Sequence, residues 1–356
     1  MGAGGLPSPA AAGVGVEPPT GPAPTRQRGW GALLSALVTF LLVSSTPLLR
    51  SVVPIQETWL LLLPALAACT LVGWRAGGRF TLAAVWTALA VWVLSHPVTG
   101  GNAASDYDRM ARGWAFLLAG AFGAVFVLGS ARRFFSVALS AVALSLVAAL
   151  ALTLPSGGVG RLAGTVVREL ASRDTAGIAR LDSLRREPEN AEYLAQNPEV
   201  DESLQRAVRL YQLVPARATV IAPAVLALES LAALALAWAM YHRMSRVRIG
   251  PPLGSLKQFR FNDHLIWGLI TGVIVLVLPS LAELRGVGLN LVVFFGTLFA
   301  LRGVGIVSYF ISPGRFGAVS LAIVAVLFWP VSTVGALGLG LGDTWLDWRR
   351  PRSPTS

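Results

Sequence analysis

The chain has 356 residues, of which 54% are hydrophobic and only 13% are charged, and its formal net charge is +11. About a quarter of the residues in soluble globular proteins are charged, so the composition excludes that class and indicates a membrane protein. The arginines fall in short loops between apolar runs, where basic residues set membrane orientation. We therefore expect a lipid bilayer around the chain and no nucleic acid partner.

Metal and cofactor chemistry finds little support in the residue types. Cys69 is the single cysteine, which rules out a disulfide framework and a cysteine-based metal site. The three histidines, His96, His242 and His264, fall at the ends of apolar runs, where an interfacial position explains them. We expect no metal and no cofactor.

The amino-terminal residues 1–29 are rich in Gly, Pro and Ala and are predicted to form a disordered cytoplasmic tail. Arg26 and Arg28 then precede an apolar run over 30–49, which as a helix would be about 30 Å long. This run is too long for a typical signal-peptide core, so we expect an uncleaved first span.

The apolar runs predict an all-α, polytopic membrane helix bundle of about nine spans. They cover residues 30–49, 58–74, 80–94, 113–129, 134–154, 219–241, 264–281, 288–311 and 316–341. The third run is short and Pro330 interrupts the ninth, so the number of spans lies between eight and ten. Spans one to five then occupy residues 30–155, and spans six to nine occupy residues 219–342.

Arginine-rich loops predict the orientation. If the spans alternate in direction, most basic segments fall on one side of the membrane. They are the residues before the first span, the loops near residues 75–79 and 132–133, and the connection 242–263. That side should be cytoplasmic, in a plasma (inner) membrane with a cytoplasmic amino terminus. Nine spans would place the tail arginines, Arg349 among them, on the opposite side. Either the ninth segment is re-entrant or broken at Pro330, or the tail lies along the outer interface.

Residues 156–218 form the only sizeable polar segment between apolar runs, and we expect an extracytoplasmic amphipathic helical insertion there. Leu162, Val166 and Leu170 make one helical stripe, and Leu204, Val208 and Tyr211 make another. The insertion is either a helical loop that packs on its own protein or a lid over a substrate entrance.

An arginine inside an apolar run is the main functional clue. Arg302 lies near the middle of the eighth span, and an ionised group in hydrocarbon costs several kcal/mol unless it finds a partner or a wet cavity. Glu229 is the one acidic residue deep in a predicted span, at a depth that differs from that of Arg302 by about 5 Å. The hypothesis is an intramembrane Glu229–Arg302 pair in a polar pocket, with Asn290 above and Ser308 below. The alternative is that Arg302 extends to the cytoplasmic interface.

Several short motifs in the second half of the chain resemble a known family. They are Pro251-Pro252, Phe259-Arg260-Phe261, Asn290-Leu291, Arg302-Gly303 and the closing Asp343-Thr-Trp-Leu-Asp347-Trp-Arg349. In this order they resemble the domain of unknown function 2232 family, the YybS-like predicted bacterial membrane proteins. The first six spans of that family look like the S components of energy-coupling-factor vitamin transporters. In S components, small residues spaced by four on the first span dock a coupling subunit, and Ala32 with Ala36 matches that pattern.

The closing residues 343–356 are predicted to form an interfacial helix and tail. Asp343 and Asp347 share a helix face and Arg349 follows, so these residues either anchor the interface or contact a partner.

The composition and motifs favour small-molecule binding or transport, S-component-like and with an unknown substrate. The alternative is a non-transporting scaffold or assembly factor that binds protein partners in the membrane. We do not expect an enzyme, because Glu229 alone supplies neither a carboxylate pair nor a nucleophile with its base.

Overall fold

The computed structural model describes residues 29–45, 52–55, 57–96, 106–129, 133–156, 158–312, 314, 317, 320–321, 324–325 and 327–349. The predicted tail 1–28 and the last residues 350–356 lie outside this set. Among the described residues the α-helices are α1 (Trp30–Ser45), α2 (Thr58–Arg75), α3 (Phe80–Ser95), α4 (Asp106–Leu128), α5 (Phe134–Thr153), α6 (Gly158–Arg186), α7 (Pro188–Gln196), α8 (Pro198–Met244), α9 (Ile266–Val277), α10 (Arg285–Ile311) and α11 (Trp329–Leu346). The all-α prediction is confirmed.

Five stretches of helix are long and apolar enough to cross a membrane: Thr58–Arg75, Asp106–Leu128, Phe134–Thr153, Ala218–Met244 and Pro279–Ile311. Phe80–Ser95 and Asp263–Val277 are apolar but shorter. Large apolar side chains such as Phe116, Val147 and Val277 are exposed on the outer surface of the bundle. Because lipid can cover such side chains, the protein is a helical membrane protein with several apolar helices.

Helix α8 is the centre of the molecule, in contact with α2, α5, α6 and α10. It has 47 residues, which corresponds to about 70 Å, more than twice the thickness of a bilayer core. Its first half therefore projects beyond the bundle. The boundary predicted at residues 218–219 falls inside this continuous helix and is not a break in the chain's secondary structure.

The predicted insertion consists of α6, α7 and the projecting half of α8. Its first apolar stripe faces the protein, since Leu170 is fully buried and Leu162 and Val166 are half-buried. In the second stripe Leu204 and Val208 are also half-buried, whereas the side chain of Tyr211 lies outside the described residues. The insertion therefore packs against its own bundle.

The residues that join α8 to α9, 245–265, are called the connection below. The phenol ring of Tyr241 lies against Gly73, the rings of Phe126 and Trp238 lie against Gly250, and Phe135 contacts Phe259 edge to face. The ends of α2, α4 and α8 and the start of α5 thus meet at one end of the bundle, called the connection end. The described basic residues of these loops share that end: Arg75, Arg79, Arg133, Arg243, Arg246, Arg248, Lys257 and Arg260. That this end is cytoplasmic stays a prediction.

The ninth predicted span is divided at its proline. Helix α11 begins at Trp329 with Pro330 in its first turn, a position that needs no backbone N–H. Its carboxyl end reaches the connection, where Arg349 Nη1 donates to the carbonyl oxygens of Lys257 and Phe259 at 3.0 and 3.1 Å. Of the alternatives that the sequence left open, the structure agrees with a segment broken at Pro330, which leaves Arg349 at the connection end. Asp343 belongs to α11 instead of a separate interfacial helix.

Two glycines allow α10 and α11 to touch through their backbones. A Cβ atom on Gly303 would lie 1.8 Å from the carbonyl oxygen of Ala336, and one on Gly340 would lie 1.9 Å from that of Phe299. No larger residue fits at this crossing without moving a helix. The close approach brings the carboxyl end of α11 beside Arg302.

Candidate functional site

Arg302 is a buried arginine whose three guanidinium nitrogens all donate hydrogen bonds. Its Nε donates to Asp343 Oδ2 at 2.8 Å, its Nη1 to Asp263 Oδ1 at 2.6 Å and its Nη2 to the carbonyl oxygen of Asp343 at 3.2 Å. The guanidinium also lies over the ring of Phe261, with 5.5 Å between Cζ and the ring centroid. The side chains of Arg302 and Asp343 are 3% and 0% exposed, so their pairing takes place out of water, whereas Asp263 is 57% exposed.

Asp343 is shared between two arginines. The same oxygen that accepts from Arg302 accepts from Arg349 Nη2 at 2.5 Å, and the Asp343 side chain is fully buried. Since Arg349 also holds two carbonyls of the connection, Asp343 joins α10, α11 and the connection in one network. A carboxylate that bonds two guanidiniums favours its charged form, which compensates part of the burial cost.

A left-handed residue at the end of α11 makes this arrangement possible. Asp347 has φ +40°, a conformation seen at helix carboxyl caps. The chain reverses there, which packs the Trp348 ring against Gly342 and brings Arg349 back towards Asp343. The Asp347 carboxylate itself pairs with Arg260 of the connection.

A polar cavity of about 200 Å³ opens beside these ion pairs. It is lined by Arg260, Phe261, Asp263, Arg302, Asp343, Thr344, Trp345 and Asp347. Two buried atoms of this group, Asp343 Oδ1 and Thr344 Oγ1, have no hydrogen-bond partner within the described chain. Buried polar atoms in proteins are normally paired with protein, water or ligand, so these two leave unused hydrogen-bonding capacity at the cavity.

The predicted pairing of Glu229 with Arg302 is wrong. Every guanidinium nitrogen of Arg302 bonds Asp343 or Asp263, and Glu229 Oε2 accepts a hydrogen bond from the backbone N–H of Ile55 at 3.4 Å. Depth along a helix follows from the rise per residue, but the face on which a side chain lies does not. Glu229 faces the segment before α2, whereas Arg302 faces the connection and α11.

Glu229 belongs to a second polar group, at the end opposite the connection. Arg173 of α6 donates from Nη1 to the carbonyl of Val53 at 2.9 Å, pairs with Glu169 and lies over the Tyr107 ring. The insertion is thereby fastened over this end of the bundle. Burial raises the pKa of the nearby Glu57 carboxyl, and its own backbone N–H and Arg173 lower it by less.

Asn290 has a structural role in place of the predicted pocket position. Its Oδ1 accepts from the N–H of Ala224 at 2.9 Å and its Nδ2 donates to the carbonyl of Val220 at 2.6 Å. These two backbone groups of α8 are four residues apart, the spacing of one helical hydrogen bond, and Pro223 between them lacks an N–H. Asn290 thus joins α10 to α8. Ser308 lies in α10 beyond Arg302 and does not line the cavity.

The remaining site residues predicted from sequence divide into two groups. Asp343, Asp347 and Arg349 come together with Arg302, although the sequence assigned them to a separate interfacial site. Ala36 is exposed on α1, and the side chain of Ala32 lies outside the described residues. The use of these alanines as a docking face stays a prediction.

Sequence reasoning missed Asp263 and Arg260 as members of the site. Both lie in the connection, whose charges were interpreted as orientation signals. A local signal existed, since Asn262 Oδ1 accepts from the His264 N–H and so begins a short helical turn that presents Asp263.

The fold and the site define a multi-helix membrane protein with a buried ion-pair network at one end. Residues 189–344 match the model of a family described as "Predicted membrane protein (DUF2232)". The match confirms the predicted resemblance over α8 to α10, most of α11 and six of the eight residues that line the cavity. No curated protein and no solved structure shows significant similarity to the chain.

Proposed function

We propose that the protein binds a small polar molecule in the cavity beside Arg302 and Asp343. The supporting observation is a polar space of about 200 Å³ whose wall contains the fully buried Asp343, with one carboxylate oxygen left unbonded by the described chain. Pockets for drug-sized ligands usually measure about 300 Å³ or more. The cavity therefore suits a smaller ligand, of about the size of an amino acid.

Binding without a chemical step agrees best with the charges. The three carboxylates that line the cavity, those of Asp263, Asp343 and Asp347, are each paired with an arginine. A general base has to accept a proton, and a carboxylate paired with arginine is a weaker base because the pairing stabilises its charged form. We therefore infer a binding site and not an enzyme.

Transport is a finer proposal that rests on the resemblance to S components. It is supported by two polar groups at opposite ends of the bundle, one around Arg302 and one around Glu229 and Arg173. An S-component-like protein would need a coupling subunit, and α1 with its exposed Ala36 is the proposed docking helix.

The alternative function is a scaffold for a protein partner. The network of Asp343 and Arg349 fixes the connection against the bundle, and Arg246, Arg248 and Pro252 are exposed on it. A fixed surface that presents two arginines suits an acidic partner segment.

Thermal unfolding of the purified protein in detergent separates the two functions. In a panel of amino acids, vitamins and nucleobases, a true ligand at a hundredfold excess over its Kd adds about 2.7 kcal/mol of stability. Arg260→Gln, at the cavity, should weaken that effect, whereas Arg248→Gln, exposed on the same connection, should preserve it. A flat response to the panel, with an acidic protein partner that copurifies and is lost in Arg248→Gln, would favour the scaffold and contradict small-molecule binding.

A further inference from the structure

The charges around the cavity balance. Three carboxylates (Asp263, Asp343 and Asp347) line the cavity with Arg260 and Arg302, and Arg349 bonds Asp343 from outside the lining. These six charges sum to zero and form two sets of ion pairs, one through Arg302 and Asp343 and one between Arg260 and Asp347. A ligand with a net charge would leave an uncompensated charge in a half-enclosed space, which is costly. The cavity therefore favours a ligand whose own charges sum to zero.

Two buried polar atoms at the cavity lack a hydrogen-bond partner among the described residues. Asp343 Oδ1 and Thr344 Oγ1 lie on consecutive residues and have no partner in the described chain. An ionised carboxylate only accepts hydrogen bonds, and a charged N–H donor is its strongest partner. A ligand group that fits here carries several N–H donors and a positive charge, as a primary ammonium does.

The rim offers the opposite chemistry. Arg260 pairs with Asp347 through Nη2, and its side chain is 36% exposed. A guanidinium has five N–H donors, so Arg260 retains donors for a second anionic group at the rim. The cavity thus presents an acceptor pair at its deep side and a cation at its rim.

We infer that the ligand is a small zwitterion with a primary ammonium and an anionic oxygen group. The ammonium is bound by Asp343 Oδ1 and Thr344 Oγ1, and the carboxylate or phosphate is bound by Arg260. This assignment rests on the proposed small-molecule function. The same chemistry occurs in a free amino acid or glycerophosphoethanolamine and in the headgroup of phosphatidylethanolamine, which the neighbouring bilayer could supply.

The test is the melting temperature of the full chain in maltoside detergent, with soluble and lipid ligands compared in separate arms. Glycine and glycerophosphoethanolamine, each of which is net neutral at pH 7, should raise the melting temperature by about 2–5 °C at saturation. Their trimethylated counterparts, betaine and glycerophosphocholine, have the same charges but no ammonium N–H and should bind at least about tenfold more weakly. Micelles with added phosphatidylethanolamine, compared with phosphatidylcholine, show whether the headgroup of a lipid is the source.

Matched variants separate the cavity from general effects. Thr344→Val removes a cavity hydroxyl without breaking an ion pair and should reduce the apparent affinity several-fold. Thr333→Val, on the same helix, removes a hydroxyl that bonds the carbonyl of Trp329 and should leave the affinity unchanged. Arg260→Gln should weaken the zwitterions but not ethylamine, which has no anionic group for Arg260 to bind and is favoured by the loss of a neighbouring positive charge.

Three results would overturn the assignment: equal stabilisation by the trimethylated compounds, equal affinity in Thr344→Val, or no stabilisation by any zwitterion, which would mean that the cavity holds water only. If a compound from another class stabilised the wild type and not Arg260→Gln, the proposed function would stand and only the zwitterion class would fall.

Discussion

Arg302 and Asp343, which are 41 residues apart in the chain, form a buried ion pair with 2.8 Å between Nε and Oδ2. Their side chains are 3% and 0% exposed, respectively. Arg302 thereby acquires a partner at the connection end of the bundle, and the closing segment of the chain is fixed against the connection.

Removal of the Asp343 charge should destabilise the protein strongly. Asp343→Asn leaves two buried guanidiniums without their shared carboxylate, so we expect a loss of about 3–5 kcal/mol. Glu229→Gln is the matched control, since Glu229 is also buried but accepts a single long hydrogen bond. Glu229→Gln should lower the free energy of unfolding by less than about 1 kcal/mol, or should increase it. Urea unfolding in mixed micelles measures both variants, and equal losses would contradict the assignment.

The glycine contact between α10 and α11 should be intolerant of a methyl group. Gly303→Ala and Gly340→Ala each place a Cβ inside the facing backbone and should cost about 1–3 kcal/mol. Gly338→Ala is the control on the same helix, because its Cβ would meet nothing within 4 Å. That variant should be neutral or slightly stabilising. A loss in Gly338→Ala as large as in Gly340→Ala would show that the crossing is elsewhere.

Asp174 should make the packing of α6 sensitive to pH. Burial raises its pKa from 3.8 to about 6, with Arg173 opposing the rise, and neither of its oxygens has a partner in the described chain. Because the folded pKa exceeds the unfolded one, the stabilising contribution is complete below about pH 4 and is lost as the pH rises through 6. Asp174→Asn should therefore flatten the fall in melting temperature between pH 4 and pH 7.5.

The control for this pH effect is Glu192→Gln, an exposed change on α7. It should leave the pH profile of the wild type in place. A profile of Asp174→Asn that parallels the wild type would remove Asp174 as the cause.

The structure predicts that the connection and the end of α11 face the same side of the membrane. Leu253 and Leu346 are exposed at that end, and Glu189 is exposed on the insertion. In a Cys69→Ala background, single cysteines at 253 and 346 should react with an impermeant maleimide from one side, and a cysteine at 189 from the other. Labelling of position 346 together with position 189 would contradict the placement of α11.

The helices themselves were predictable from sequence, since runs of apolar residues long enough to span a bilayer have few alternatives to helix. The direction of the last helix was left open, because a break at Pro330 and a tail along the outer interface were both compatible with the same hydropathy pattern. Arg302 was found because charge in hydrocarbon is costly, and its depth followed from the helical rise. Its partner was missed because rise gives no information on the helix face.

The resemblance motifs contained more of the site than their spacing alone suggested. Three separate motifs contribute residues to one cavity, namely Phe261, Arg302, Asp343 and Asp347. Arg349 of the last motif bonds Asp343. Asp263 lies outside these motifs and became visible only in three dimensions.

The most direct test of the account is a pair of double-mutant cycles on unfolding free energy. Arg302→Gln with Asp343→Asn should show a coupling energy of about 1–3 kcal/mol, because the two side chains share hydrogen bonds. Arg302→Gln with Glu229→Gln should be additive within about 0.5 kcal/mol, as expected for residues with no common partner. Additive losses in the first cycle, with coupling in the second, would contradict the pairing on which the cavity depends.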